Sequence, residues 1–303
     1  MSGSPIVAQL GERLQSYRKH QLTGLVRIST QNKQQWYLYY ILGRIVWTKS
    51  RTHSLRRWQR HLAIHSPVFF EQIEKPIARS YNQWNYSALA RLVKLKQFRR
   101  DRFCKTVAGC IREDIFDILY MGTEQHRQTG QLLAYEPVKK QAATVPFIML
   151  QQEIAWKEAQ QDWLTWQSTG LAKVSPDWAP EILQLQILKE QTSEKTFQAL
   201  TKFVDGQSTF RDLSNTFRQP LIPLTKSFLP YASRRILAVV EIPDIVEGDS
   251  DGFDPELQPT ELQPTELQPN KLNQHSDKQP DQPSISSYVE KGIAPSQQNL
   301  LSG

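Results

Sequence analysis

Three strand-like runs, packed tightly one after another within the first fifty residues, constrain the fold more than any other feature. They cover residues 24–30, 35–41 and 44–49. Each is rich in β-branched and aromatic side chains, a composition typical of strands that are half buried. A polar turn at 31–33 and the pair Leu42-Gly43 separate the runs, and both patterns favour short reversals of the chain. The sequence therefore predicts an antiparallel meander.

From residue 54 onward, apolar residues recur mainly at helical spacing. The predicted helices cover 54–64, 88–98, 103–120, 146–168, 194–204, 210–217 and 222–232, with short strands at 131–135 and 235–241. Gly122 is the expected stop of the helix at 103–120. The fold class that follows is α+β. We expect an N-terminal antiparallel meander with inserted helices, a C-terminal winged-helix-like unit of three helices plus a strand, and a disordered C-terminal tail.

This pattern divides the chain into three parts. We expect an α+β domain with a helical insertion at 1–190, a winged-helix-like part of the same domain at 191–243, and an acidic tail at 244–303. In the tail, the unit Glu-Leu-Gln-Pro-Thr begins at Glu256 and is repeated with a period of five residues. A proline in each copy and few apolar residues predict an extended, disordered spacer.

Charge is distributed unevenly between the tail and the rest of the chain. The net charge is +7 overall, and residues 244–303 contribute −8, which leaves +15 on residues 1–243. Residues 51–105 alone carry +10. Such a field attracts acidic proteins, nucleic acid or anionic membranes. The tail is then either an inert linker or a mask on the basic region, in which case its removal tightens binding at low salt.

The sequence offers little that is typical of an enzyme. It contains no nucleotide-binding glycine motif and no nucleophile motif, so we predict no catalytic, cofactor-binding or metal-binding residue. Cys104 and Cys110 predict two buried thiols and a reducing compartment. The first ten residues do not resemble a signal peptide, and no apolar run is long enough to span a membrane. We therefore expect a cytoplasmic protein that is not an enzyme.

Several motifs together resemble one known family. They are Gly24-Leu25, Trp36-x-Leu38-Tyr39-Tyr40-x-x-Gly43-Arg44-x-Val46-Trp47, Arg56-Arg57-Trp58-x-Arg60-x-Leu62, the run 111–119, Trp156 with Trp163, and Asp205-Gly206. This combination resembles the PATAN domain, the N-terminal domain of cyanobacterial PatA-like response regulators, over residues 10–245. The resemblance implies a role in two-component signalling, in cell patterning or in phototaxis through type IV pili.

The resemblance also raises the question of phosphorylation. A receiver domain follows in such regulators, whereas here an acidic stretch without flanking apolar strands follows Asp244. We therefore expect that phosphorylation control is either lost in this protein or supplied by a receiver domain in trans. The expected partner is an acidic protein, either a signalling protein or a pilus-motor protein.

Two places are candidates for contact with that partner. On the helix 54–64, Arg56, Arg57 and Arg60 lie opposite the apolar side, so they form either a solvated face or a contact for the acidic partner. Trp178 lies in a loop between two prolines, and an exposed tryptophan on a rigid backbone is a good contact residue.

Two further interpretations stay open. The alternative function is a nucleic-acid-binding regulator that uses the basic body or the winged-helix-like part. On the third predicted helix of that part Lys226, with Arg234 and Arg235 just beyond it, favours phosphate contact but offers poor readout of bases. Trp156, Trp163 and Trp166 follow helical spacing, which is more typical of a core than of a ligand site.

Overall fold

The computed structural model describes residues 4–71, 86–138 and 152–245. Within these ranges the predicted α+β class is confirmed, with one four-stranded antiparallel sheet and one two-stranded sheet. The predicted disordered tail beyond residue 245, with its repeats, lies outside the described residues, as does the predicted helix start near Pro146. No described helix combines the length and apolarity that a membrane crossing requires.

The helices and strands follow one another along the whole described chain. The helices are α1 (Pro5–Lys19), α2 (Ser54–His65), α3 (Tyr86–Lys94), α4 (Arg100–Thr129), α5 (Gln152–Ser168), α6 (Leu185–Gln191), α7 (Glu194–Phe203), α8 (Phe210–Phe217) and α9 (Leu221–Ser233). The strands are β1 (Gly24–Ser29), β2 (Gln35–Ile41), β3 (Arg44–Ser50), β4 (Ala134–Val138), β5 (Ala179–Ile182) and β6 (Leu237–Val240).

These elements form two compact units. The described part of the first unit runs to Ser175 and includes 243–245, and the second unit runs from Pro176 to Ile242. In the second unit β5 pairs with β6 in antiparallel register. Neither β5 nor α6 was predicted. The predicted order of three helices and a strand is confirmed in α7, α8, α9 and β6.

The predicted meander is confirmed, with strand order β3-β2-β1-β4. Leu42 and Gly43 both have positive φ, 49° and 73°, as the tight hairpin between β2 and β3 requires. A Cβ on Gly43 would lie 2.6 Å from the Cα of Arg18. Only glycine therefore fits where this turn meets the end of α1.

The predicted helix at 103–120 is too short, and its expected stop at Gly122 is wrong, because α4 runs from Arg100 to Thr129. The helix continues to Thr129 and ends before Gly130, which has a φ of 71°. Gly122 instead permits close packing inside the helix, because a Cβ there would lie 2.9 Å from the side chain of Ile6 on α1. Helix α1 was not predicted at all, although its buried Ile6, Leu10 and Leu14 follow helical spacing.

Candidate functional site

The first candidate residues lie on α2, and for two of them the expected exposure is wrong. Arg57 is 3% exposed and Arg60 is 5% exposed, so neither belongs to a solvated face or to an open contact surface. Both side chains face acidic residues of α4. Arg56, in the first turn of α2 and beside Pro243, is partly exposed.

Arg57 joins three elements of the first unit. Its Nη1 lies 2.9 Å from Asp114 Oδ1, and its Nη2 donates to Asp117 Oδ2 over 2.8 Å. Nη1 also donates to the Ser50 hydroxyl on β3 over 2.7 Å. A guanidinium has donors in a planar fork, and this geometry lets one side chain pair with α4 and β3 at once.

Arg60 completes the group one turn further along α2. Its Nε and Nη2 donate to the two carboxylate oxygens of Glu113, over 3.1 and 2.8 Å. This bidentate geometry is the strong form of an Arg–carboxylate pair. We call Arg57, Arg60, Glu113, Asp114 and Asp117 the α2–α4 ion cluster.

Asp114 is the most deeply buried acid of this cluster. The Thr48 hydroxyl donates to its Oδ2 over 2.6 Å. Burial raises the pKa of Asp114, although Arg57 and Thr48 act in the opposite direction. These opposing effects indicate that Arg57 is needed to stabilise the charged form of the buried Asp114 carboxylate.

The α2–α4 ion cluster is a structural site and not an open one. Its carboxylates are directed at arginines, and within the described ranges no group of three His, Cys, Asp or Glu residues is placed to hold a metal ion. Because both guanidinium groups are buried and paired with carboxylates, they do not form an open surface. The cluster instead connects α2, α4 and β3.

The start of α2 is held by a residue that is distant in sequence. His53, which precedes α2, has a φ of 50° and gives no side-chain cap. Asp244 supplies it, since its Oδ2 accepts from the Leu55 N–H over 2.9 Å and its Oδ1 from the Arg56 N–H over 3.1 Å. The Arg56 Nε also donates to the Pro243 carbonyl. A carboxylate at a helix N-terminus is favourable, so Asp244 anchors the chain there.

Trp178 lies in a loop that is firmly held within the second unit. Its carbonyl accepts from the Phe210 N–H of α8 over 3.0 Å. The neighbouring Asp177 accepts from Arg211 Nη1 with both carboxylate oxygens, each at 2.9 Å, and this pair is buried. The indole of Trp178 is half-buried. Its role as a partner contact stays a prediction.

Two tryptophans of α5, Trp163 and Trp166, belong to the core of the first unit, whereas Trp156 is half-buried. Trp163 is 1% exposed and Trp166 is fully buried. Both rings meet Phe116 of α4 edge to face, with centroids 5.7 and 5.8 Å apart. Trp166 Nε1 donates to the Val174 carbonyl. This arrangement packs both rings between α4 and α5, as is typical of a core.

A different part of the first unit carries the exposed positive charge. Residues 91–105, around the junction of α3 and α4, contain seven Arg or Lys residues and one acid, a net charge of +6. We call its exposed cations the α3–α4 basic surface: Arg91, Lys94, Lys96, Arg99, Arg100 and Lys105. The one acid, Asp101, pairs with Arg99 at the surface. The high density of cations was visible in the sequence, but not their joint exposure.

An apolar groove lies within this surface. Its volume is about 560 Å³, and its lining residues are Val93, Lys94, Lys96, Gln97, Phe98, Arg99 and Arg100. Phe98 is buried at its base, and its ring packs at a tilt against Phe69 with centroids 4.5 Å apart. Leu95 beside the groove is 56% exposed. We call this feature the α3–α4 groove.

The pKa of His65, at the end of α2, predicts how the stability of the protein depends on pH. Burial lowers the pKa of His65 to about 4, helped by His61, Lys105 and Arg102. An unfolded histidine titrates near 6.5, so between about pH 6.5 and 4 the unfolded chain binds a proton that the folded chain refuses. The stability contributed by neutral His65 is present above pH 6.5 and is lost as the pH falls through this window.

We therefore expect His65→Asn to reduce the loss of stability between pH 7 and pH 4.5. Urea denaturation followed by circular dichroism at the two pH values measures this difference. The matched control is His20→Asn, at an exposed position after α1, which should keep the pH dependence of the unmodified chain. An identical pH dependence in the two variants would contradict the effect of burial on His65.

Comparisons with known proteins add no family assignment to this geometry. No protein-family model, no curated protein and no solved structure matches the chain. The resemblance to the PATAN domain stays a prediction from the quoted motifs, and function has to be inferred from the surfaces of this chain.

Proposed function

We propose that this protein is a non-enzymatic protein–protein interaction module of cytoplasmic, PatA-like two-component signalling. Its α3–α4 basic surface binds an acidic signalling or pilus-motor protein, and a receiver domain acts in trans. The observation that carries the proposal is the exposure of this surface, whereas Arg57 and Arg60 are buried.

The chemistry of the α3–α4 basic surface supports an acidic protein partner. Six exposed cations within fifteen residues raise the local concentration of a negatively charged protein and speed its encounter. Charge alone gives a weak contact, and an apolar anchor is what commonly adds affinity. Val93 and Leu95 supply apolar side chains directly between these cations.

The alternative function, a nucleic-acid-binding regulator, has weaker support. Helix α9 would be the recognition helix of the winged-helix-like part, and Lys226 is its one Arg or Lys residue. Its buried Leu224, Thr225 and Phe228 form the packed side. Base readout needs several long polar side chains on one helix, so contact with phosphate is the most that α9 favours.

We expect the triple variant Lys94→Glu/Lys96→Glu/Lys105→Glu to lose the acidic partner. Reversing three exposed charges replaces attraction by repulsion, and we expect affinity to fall at least about tenfold. Capture from cyanobacterial lysate followed by mass spectrometry identifies the retained protein, and its affinity for the unmodified chain and the variant is then measured with both proteins purified.

The matched control makes the same change of net charge elsewhere on the first unit. Lys19→Glu/Lys157→Glu/Lys173→Glu replaces three exposed lysines and should retain the partner. Equal loss in both triple variants would mean that only total charge matters, which contradicts a defined surface. Binding of duplex DNA that survives physiological salt would favour the nucleic-acid alternative instead.

A further inference from the structure

We propose that the acidic segment 246–258 of the same chain occupies the α3–α4 groove and competes there with the acidic partner. The competition with the acidic partner rests on the proposed function. The contact itself, within one chain, is a separate claim that does not need the partner. It gives the masking hypothesis for the tail a defined segment and a defined site.

The groove has the shape and charge for a short acidic segment with one aromatic side chain. Val93 and Phe98 provide an apolar floor. The exposed ammonium groups of Lys94 and Lys96 stand at its edge. An apolar side chain that packs on this floor would therefore bring the acidic residues beside it close to the two ammonium groups.

Segment 246–258 has this composition. It contains five acidic residues, no Lys or Arg, and a single aromatic residue, Phe253. Two acids precede Phe253 within four residues and one follows it directly: Asp249, Asp251 and Asp254. The segment carries −5 against the +6 of residues 91–105, so the two are close to complementary.

The anchoring of Asp244 determines where this segment starts. Asp244 is held at the N-terminal end of α2, whose twelve residues span about 18 Å. At the other end of α2, Arg102 Nη1 donates to the His65 carbonyl over 2.9 Å, which places the start of α4 there. Phe253 follows Asp244 by nine residues, or about 30 Å when extended, which is enough to reach along α2.

Attachment to the same chain strengthens a contact that would be weak between separate molecules. A short tether gives an effective concentration in the millimolar range, so modest affinity keeps the groove occupied. The contact is also easily displaced, because its charges lie at the surface and are screened by salt. A partner with higher affinity would release the segment.

Zero-length carbodiimide cross-linking of the full chain tests the contact directly, since it joins lysine amines to adjacent carboxylates. In the monomer fraction we expect cross-links from Lys94 and Lys96 to the acids of 246–258. The exposed Lys157 and Lys173 of the same unit serve as internal controls and should not join this segment. In 1 M salt, where the screening length is about 3 Å, the expected cross-links should largely disappear.

A full-chain variant separates docking from random contact. Asp249→Asn/Asp251→Asn/Phe253→Ser/Asp254→Asn leaves Glu247 and Glu256 as reporters, and their cross-links to Lys94 and Lys96 should fall about tenfold. Equal cross-linking to all exposed lysines, or no change in this variant, would overturn the proposal. Cross-links confined to dimers would also overturn it, since the occupant would then be a second copy.

The two proposals fail in different ways. If the segment does not cross-link to the groove but the Lys94, Lys96 and Lys105 triple variant loses its partner, docking of the segment is wrong and the binding surface stands. If the cross-links form as expected but the triple variant retains its partner, the segment does occupy the groove while the partner binds elsewhere.

Discussion

Replacing Arg57 with methionine should lower the free energy of unfolding by about 3–5 kcal/mol, since it removes one partner of a buried ionic group. Arg57 lies between Asp114 and Asp117 at 2.9 and 2.8 Å. Without it, Asp114 would stay buried without the guanidinium that favours its charged form, and Asp117 would lose one ion pair. Methionine retains most of the apolar volume, so the loss measures charge and hydrogen bonding rather than a cavity.

The neighbouring arginine provides a matched control for Arg57. Arg56→Met removes the same side chain one position earlier, where it is partly exposed, and should change stability by no more than about 0.5 kcal/mol. Urea denaturation followed by circular dichroism compares the two. Equal effects of the two substitutions would show that the α2–α4 ion cluster does not bear on stability.

A rescue experiment keeps this prediction testable even if Arg57→Met folds poorly. In Arg57→Met/Asp114→Asn one of the uncompensated carboxylates is also removed, so the double variant should recover part of the lost stability. Arg57→Lys keeps the charge but not the fork and should lie between the unmodified chain and Arg57→Met. Additive losses in the double variant would contradict direct coupling of Arg57 and Asp114.

Replacing Trp163 with alanine should cost about 3–5 kcal/mol, the range typical of a large buried aromatic side chain. Trp163 is 1% exposed and meets Phe116 and Tyr120 edge to face, with centroids 5.7 and 6.0 Å apart. The substitution would leave a cavity between α4 and α5. The two long helices cannot move together to fill this cavity without losing other contacts.

Two control variants separate core packing from general weakening of α5. Leu164→Ala changes the next residue, which is 42% exposed, and should cost less than about 1 kcal/mol. Trp163→Phe retains most of the ring and removes an indole N–H that has no hydrogen-bond partner among the described residues, so it should be milder than Trp163→Ala. Similar losses for Trp163→Ala and Leu164→Ala would contradict the core assignment.

The meander and the order of the helices were predictable because their signals are local. Alternating aromatic and β-branched residues indicate β1 to β3 without reference to any other segment. The capping box that starts α8, Thr209 with Asp212, is likewise contained within four residues. The helix at Ser193 begins in the same way, with a side-chain cap from its own sequence.

The errors share one cause, which is that a helical pattern does not say what lies opposite each face. A glycine that follows an apolar stripe commonly ends a helix, and this pattern predicts a stop at Gly122. In the structure, Gly122 lies inside α4 and α1 packs against it. Arg57 and Arg60 were assigned to an exposed face, because arginine is rarely buried. Their carboxylate partners lie 60 and 53 residues further along the chain, beyond any local pattern.

Local residue patterns were sufficient to specify the α+β class, the three N-terminal strands and most helices of this protein, because each depends on a few adjacent side chains. The basic composition of residues 91–105 was equally plain. Which arginines are buried in ion pairs and which cations stay at the surface depends on packing between distant helices. For that reason the candidate binding surface lies at the junction of α3 and α4 and not at Arg57 and Arg60, which pair with α4.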